Sequence, residues 1–417
     1  MSRRSTLTTA LVSGTLAAGV ALGASTVLPA GANPAPAAAP AAVAAAAAAP
    51  APAAAPATAA PAVAAAPAAA EGRRPGPERL PRITVIGTGG TIAGLADSRD
   101  ALQTYRAGQV PIADLVGALQ PELGAVAEVR TVQFGNAGSS GYTIEQFREL
   151  TLAVDEALKT SDGVVVTTGT DTMEEFAYWL DLTVRSDEPV VLTGAMRPSN
   201  VIGADGPANL FNAVRLAASG DTRCFGTVLM LNDEFHAARE VTKTDALRMD
   251  TFEGGRFGAL GVVDETHVTT RRAPARAELC GTKRWATPFD VSRIAPQDLP
   301  RVEIAYSYQE AGGEAISAFA DAGVEGVVTA GTGAGGISPA MREARTAAIE
   351  RGVLFGTTTR TGSGAIYEGE EPAPGVVAME DLLPQKARLL LLLSLAFTDD
   401  EAQVRAWVDG LGSPEFG

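Results

Sequence analysis

Runs rich in β-branched and aliphatic residues alternate along this chain with stretches whose apolar positions recur every three or four residues. The runs predict strands at 82–88, 126–134, 163–169, 189–195 and 226–232. The stretches between them predict helices at 111–119, 143–160, 172–183 and 206–219. Thr143, ahead of Ile144, Phe147 and Leu150, reads as the N-cap of an amphipathic helix. Residues 238–270 read as a hairpin-like region. Residues 271–300, broken by Pro274, Pro288, Pro296 and Pro300, read as an interdomain linker. A second, smaller pattern follows, with strands at 302–308, 326–330 and 353–359 and helices at 313–322, 338–351, 383–397 and 399–410. The predicted fold class is α/β. A larger N-terminal domain (80–270) carries a doubly wound, mainly parallel sheet, and a smaller α/β domain occupies 301–417.

The first eighty residues follow neither pattern. Arg3 and Arg4 precede a weakly apolar run from Leu7 to Leu28, and Ala30-Gly31-Ala32 offers a cleavage site. This layout predicts an export signal over 1–32, with the twin-arginine and general secretory routes both open. From Pro34 to Ala70 every residue is Ala or Pro except Val43, Thr58 and Val63. Such a segment has no side chains with which to build a core, so 33–79 is expected to be a disordered, extended tether. The run Leu389–Leu393, extended to Phe397, is too short to span a bilayer and reads as a buried helix.

The formal net charge is −15, and loss of Arg3 and Arg4 with the signal would take it to −17. An acidic body argues against nucleic-acid binding. The two cysteines, Cys224 and Cys280, could pair in an exported protein, though their spacing alone does not establish it. Neither Cys-x-x-Cys nor His-Glu-x-x-His occurs, so no metal site and no cofactor is expected. The two histidines, His236 and His267, read as surface or loop residues, and no Gly-x-Ser-x-Gly elbow is present. A Ser-His-Asp hydrolase is therefore disfavoured.

Two Gly-Thr patches carry the candidate chemistry. Gly87-Thr88-Gly89-Gly90-Thr91-Ile92-Ala93-Gly94 follows the first strand, and Thr167-Thr168-Gly169-Thr170-Asp171-Thr172 follows the third. In an open parallel sheet such turns converge on one crevice. A threonine hydroxyl needs a neighbour to take its proton before it is a useful nucleophile. Thr91 lies in a turn rich enough in glycine to aim backbone N–H groups at an oxyanion. Asp171, beside Thr170, could hold an ammonium group or orient a base, but both residues could equally cap the helix that follows. Lys243, one of only four lysines, is a candidate proton acceptor or a solvated surface residue. Tyr105 closes a polar loop (97–104) that could fold over the crevice, or it packs on the loop's base. One rival signal exists. Gly331-Thr332-Gly333-Ala334-Gly335-Gly336 spells G-x-G-x-x-G between a strand and a helix, with Glu350 near the ribose-binding distance. A tight structural turn is the favoured reading there.

Taken together these motifs resemble the bacterial type II L-asparaginase family. Thr88 to Gly94 is similar to its first signature and Thr168 to Glu175 to its second. Ala195-Met196-Arg197-Pro198, Ala204-Asp205-Gly206-Pro207 and Val241-Thr242-Lys243-Thr244 follow in order. The resemblance runs from about residue 80 to the C-terminal helices. It implies a threonine nucleophile, Thr91, that attacks the side-chain amide of L-asparagine, with Tyr105 hydrogen-bonded to it. It implies a second catalytic group of Thr170, Asp171 and Lys243, with Asp171 and Thr170 also binding substrate and Ser139 and Ser140 at the substrate's α-substituents. It also implies a homotetramer with sites shared between subunits, the neighbour supplying an acid near Glu370 or Glu371.

Three positions depart from the family's better-known members. Ser140 stands where a longer Gln or Glu is common, Gly336 where an Asn or Ser often reaches the substrate, and Thr168 where a His is frequent. Fewer polar contacts predict weaker substrate binding and poor use of glutamine. Two readings from other classes stand beside this one: a non-catalytic exported amino-acid binding protein, and a wall-attached structural protein displayed on its tether.

Overall fold

A computed structural model describes residues 79–412. The predicted export signal, and all of the predicted tether but Arg79, lie outside the described residues. The larger sheet has eight strands. Arg82–Gly89 lies between Glu128–Ala137 on one side and Gly163–Thr167 on the other, followed outward by Val190–Thr193 and Thr227–Leu231, all parallel. Three strands, Glu234–Ala237, Gly261–Val263 and Val268–Thr270, then extend the sheet antiparallel. The winding reverses at Arg82–Gly89: the chain places its next sheet strand on one side and then crosses to the other. In doubly wound sheets that reversal opens a crevice at the carboxyl ends of the strands.

The third strand shows why these residues make a central strand. Val164 and Val166 pack into one core and Val165 into another, on the opposite face of the sheet. Both faces are covered, so an unbroken valine run is what the position requires. Helices Ile144–Leu158 and Met173–Thr183 cover one face, and Ile112–Gly117 and Gly206–Ser219 the other. Thr143 caps the first of these as expected, in a reciprocal box with Gln146.

The smaller sheet orders Val302–Tyr306, Gly326–Gly331, Leu354–Thr359 and Val376–Ala378 in chain order, all parallel. Its last strand, three residues of a Pro- and Gly-flanked stretch, carries too short a pattern to be read from sequence. Helix Pro384–Phe397 holds Leu389–Leu393 fully buried. One apolar core runs through this helix from Val166 of the large sheet to Val328 of the small one. Among the described residues no helix is long and apolar enough to cross a membrane.

Residues 271–300 are packed: they form short 3-10 turns and bury Trp285, Phe289 and Val291, and Cys280 forms a disulfide with Cys224, Cα atoms 5.5 Å apart. One expectation changes. His236 is not a surface residue. It is 2% exposed on strand Glu234–Ala237, which lies between two other strands and whose last three residues are all buried, so both of its faces are covered there. Burial, reinforced by the Arg272 guanidinium, pulls its pKa down to about 4. His267 is exposed, in a loop.

Candidate active site

Gly87 and Thr167 are register partners, so the first and third strands end level and their turns emerge side by side. The turns touch through their backbones. Gly90 has φ +78°, and a Cβ there would fall 2.2 Å from the amide nitrogen of Gly169. Only glycine allows both the backbone conformation and the approach. This contact brings together the residues that follow, Thr91 and Thr170.

Thr91 opens a 3-10 turn, Thr91–Ala93, and is buried. Its Oγ1 lies 2.6 Å from the Tyr105 hydroxyl. Tyr105 arrives by local geometry. Leu95–Ala96 pairs antiparallel with Tyr105–Arg106, so loop 97–104 is the tip of a hairpin whose base stands beside Thr91. The base is pinned from outside: Asn200 exchanges two hydrogen bonds with the Ala96 backbone (2.9 and 2.7 Å), and Ser199 Oγ donates to Gly94 O (2.9 Å). The Gly90 amide, a candidate oxyanion donor, is already bound to Ala137 O at 2.9 Å.

Thr170 and Asp171 do not cap the following helix. Its N-cap is Thr172, which makes no side-chain cap bond, and the Thr172 amide donates instead to Ser139 Oγ at 3.2 Å. The pair is turned to a different partner. Lys243 Nζ donates to Thr170 Oγ1 (3.1 Å) and to Asp171 Oδ1 (2.9 Å). The lysine side chain is 13% exposed and the aspartate 75%. The cation is therefore sheltered, while the carboxylate keeps an open side for a ligand. Because the ammonium donates to Thr170 Oγ1, the Thr170 hydroxyl keeps its own proton free to donate elsewhere. Lys243 sits in a two-residue antiparallel ribbon, Thr242–Lys243 with Phe252–Glu253. Its backbone amide lies 3.4 Å from Glu174 Oε1, and Glu174 accepts a further bond from Gln385 Nε2 at 3.1 Å.

Ser139 is buried against the second turn, its Oγ 3.0 Å from where a Cβ on Gly169 would sit. Ser140 is exposed. Thr168 is fully buried with its hydroxyl unpartnered among the described residues. Gly336 belongs to the G-x-G-x-x-G turn, which closes on itself: Thr332 and Gly336 exchange amide-to-carbonyl bonds, each 2.8 Å. Those amides are spent, and the following helix is capped by Ser338. Glu370 and Glu371 lie exposed in the loop before Val376–Ala378, and no bond ties either to the residues above.

Residues 82–276 match the family Asparaginase, N-terminal, and residues 301–408 match the Glutaminase/Asparaginase C-terminal domain. The chain belongs to the asparaginase family. L-asparaginase 2 of Bacillus subtilis is 39% identical over 332 residues, covering 79% of this chain and 86% of that protein. L-asparaginase 2 of Escherichia coli is 39% identical over 78% of this chain and 92% of its own length. Glutaminase-asparaginase of Pseudomonas fluorescens biotype A is 35% identical over 78% and 90%. The crystal structure of a probable cytoplasmic L-asparaginase from Campylobacter jejuni superposes with a TM-score of 0.73 at 38% identity, covering 79% of this chain and 99% of that one.

Family membership makes sense of motifs that have no chemistry of their own. Asp205 accepts the amides of Met196 and Arg197, both at 2.9 Å, and Asn209 donates to Asp205 and to Gly194 O, both at 3.0 Å. The segments around residues 196 and 205 are thus bolted to each other, and Ser199 and Asn200 carry that rigidity to the hairpin base. Reading the sequence for nucleophiles and bases missed Ser199, Asn200, Glu174 and Gln385, because the first three hold backbone and Gln385 holds Glu174, none of them a reacting group.

Proposed function

We propose that this protein is an exported amidohydrolase that converts L-asparagine and water into L-aspartate and ammonia. The observation that carries the reading is the pairing of Thr91–Tyr105 with Lys243–Thr170–Asp171 on two turns in backbone contact at the sheet's switch point. Thr91 Oγ attacks the side-chain amide carbon and a tetrahedral oxyanion forms. Its collapse breaks the C–N bond, and the nitrogen leaves as ammonia, having gained the Thr91 proton. The ester on Thr91 is then opened by water, which returns a proton to Thr91 and the hydroxyl to the acyl carbon, so that aspartate departs. Tyr105 orients the Thr91 hydroxyl. Lys243 holds Thr170 Oγ1, so that the Thr170 proton serves the substrate or the attacking water. The open side of Asp171 takes the substrate ammonium, and the buried Ser139 hydroxyl lies where it can donate to the α-carboxylate. Ser140 belongs to the same substrate wall.

Glutamine is a poor substrate in this reading. Gly336 brings no side chain, Ser140 reaches less far than the longer residues common at its position, and a longer substrate has fewer contacts to fix its amide. The working form is a homotetramer in which a neighbouring subunit contributes an acid near Glu370 or Glu371. The Cys224–Cys280 disulfide favours an oxidising compartment and hence export. Ammonia release from asparagine and from glutamine, with wild type and Thr91→Ala, tests the reading. Activity on asparagine that vanishes in Thr91→Ala is the expected result. Equal rates in the two proteins overturn the nucleophile, and equal kcat/KM for the two amides overturns the selectivity.

A further inference from the structure

One of the four lysines is buried where a cation is costly. Lys386 is 2% exposed and sits in the first turn of helix Pro384–Phe397, whose next residues include the five fully buried leucines 389–393. A cation there meets the positive end of the helix dipole as well as the loss of its water. Burial pulls its pKa down to about 8 and Arg239 adds to the pull, against the attraction of Glu174, Glu240 and Asp181.

The ammonium lies 5.8 Å from the centre of the Tyr178 ring, and among the described residues all its hydrogen bonds go to one place. It donates to three backbone carbonyls of a single short segment: Ala238 (2.7 Å), Arg239 (3.0 Å) and Val241. That segment leads directly into Thr242–Lys243. Its own side chains add little toward the crevice, because Arg239 pairs with Asp381 and Glu240 with Arg272. The preceding residue of the helix reaches the same target by another route. Gln385 Nε2 binds Glu174 Oε2, and Glu174 Oε1 faces the Lys243 amide. Two adjacent side chains of the small domain's helix thus bear on Lys243 by separate routes, one through the chain that leads to it and one through the carboxylate at its amide.

We infer that Lys386 and Gln385 are positioning residues that set the Lys243 ammonium at its distance from Thr170 and Asp171, so that the C-terminal helix is part of the catalytic apparatus without touching substrate. The inference rests on the role of Lys243 given above. A lysine of ordinary flexibility on a two-residue ribbon would not hold two hydrogen bonds across the crevice unless its main chain were clamped.

Lys386→Met keeps the length of the side chain and removes its donors. It is compared with Leu392→Ala, which weakens the same helix through a cavity and removes no hydrogen bond. Each protein is assayed at the same interval below its own melting temperature. In Lys386→Met, kcat falls about tenfold or more while KM stays within about twofold, because an arrangement needed in the transition state is lost rather than substrate binding. Amide exchange across 238–243 rises with it. Leu392→Ala melts earlier and keeps its kcat within about twofold. A wild-type kcat in Lys386→Met, or the same loss in both variants, overturns the inference. If Lys386→Met yields no folded protein, Gln385→Ala decides: kcat lowered about threefold supports positioning, and a wild-type kcat overturns it. Lys243→Met separates the two levels. Full activity there overturns the role of Lys243 itself, whereas an inactive Lys243→Met beside a normal Lys386→Met overturns only the clamp.

Discussion

Two glycine-rich turns follow buried parallel strands in this protein, and they end differently. The turn after Arg82–Gly89 leaves the Thr91 hydroxyl facing Tyr105 and lays its backbone against a second turn. The turn after Gly326–Gly331 folds back on itself through the paired amides of Thr332 and Gly336. Their glycine content is similar, and the more familiar motif belongs to the inert one. The sheets explain the difference. In the large sheet the winding reverses at Arg82–Gly89, which opens a crevice at the carboxyl ends of the strands, where the two touching turns emerge. In the small sheet the strands follow chain order without reversal, and no switch point exists. Glycine spacing describes what a turn can do, and topology decides what it faces.

The comparison can be broken most directly by removing one hydroxyl from each turn. Thr91→Ala is expected to lower kcat for asparagine hydrolysis about 10⁴-fold or more, as loss of a nucleophile does. Thr332→Ala, measured by the same ammonia-release assay, is expected to stay within about twofold of wild type. Substantial loss in Thr332→Ala would put chemistry in the small-sheet turn and undo the distinction.

Covalent support also differs between the two regions. The disulfide closes a 56-residue loop within the large-sheet region, while the small domain has no cysteine. Loop-closure entropy puts its contribution at about 4 kcal/mol, so Cys224→Ser with Cys280→Ser should lower the denaturant midpoint accordingly. A midpoint unchanged from that of the oxidised wild type would remove the clamp from the account.

Acid should act on the large-sheet half. With a folded pKa of about 4 against an ordinary value of 6.5, His236 binds its proton more readily in the unfolded chain. Between those two values the unfolded state holds more protons, so stability is full above pH 6.5 and falls as pH drops toward 4, by about 3 kcal/mol. His236→Phe should flatten that acid limb in urea titrations at pH 7 and pH 4.5. An identical slope in the variant would assign the acid sensitivity elsewhere.

A pair of glycine substitutions is the sharpest test of turn geometry. Gly90→Ala forces a left-handed alanine onto the Gly169 backbone and should cost upward of about 3 kcal/mol. Gly333→Ala is left-handed too, at φ +50°, but its Cβ meets nothing within 4 Å, so the cost should be only about 1 kcal/mol. Thermal melts of the two variants read the difference directly, and equal costs would mean that the two large-sheet turns are not in contact.

Much of the frame was legible from the chain. The central parallel strands, such as Gly163–Thr167, show as apolar runs, because a strand covered on both faces needs no polar positions, whereas the largely exposed Glu128–Ala137 carries Glu128, Arg130 and Gln133. The Thr143 cap and the Thr91 and Thr170 turns are equally local signals. Proline spacing marked 271–300 as the connection between the two domains, but it says nothing of what Trp285 and Phe289 pack against. His236 was misplaced because one residue carries no periodicity. Lys386 did leave a trace, a lone lysine at the head of an all-leucine helix, but the trace names no partner.

What the sequence by itself determined are the elements and the residue types at their ends, since backbone propensity, capping and hydrophobic period act over a few residues. Tertiary structure alone decided that Lys243 meets Thr170 and Asp171, more than seventy positions away, and that Lys386 grips the chain leading to it. Those meetings depend on strand register, on the side to which each crossover winds, and on two sheets sharing one apolar core. Each is a sum over many contacts that no short stretch of chain contains.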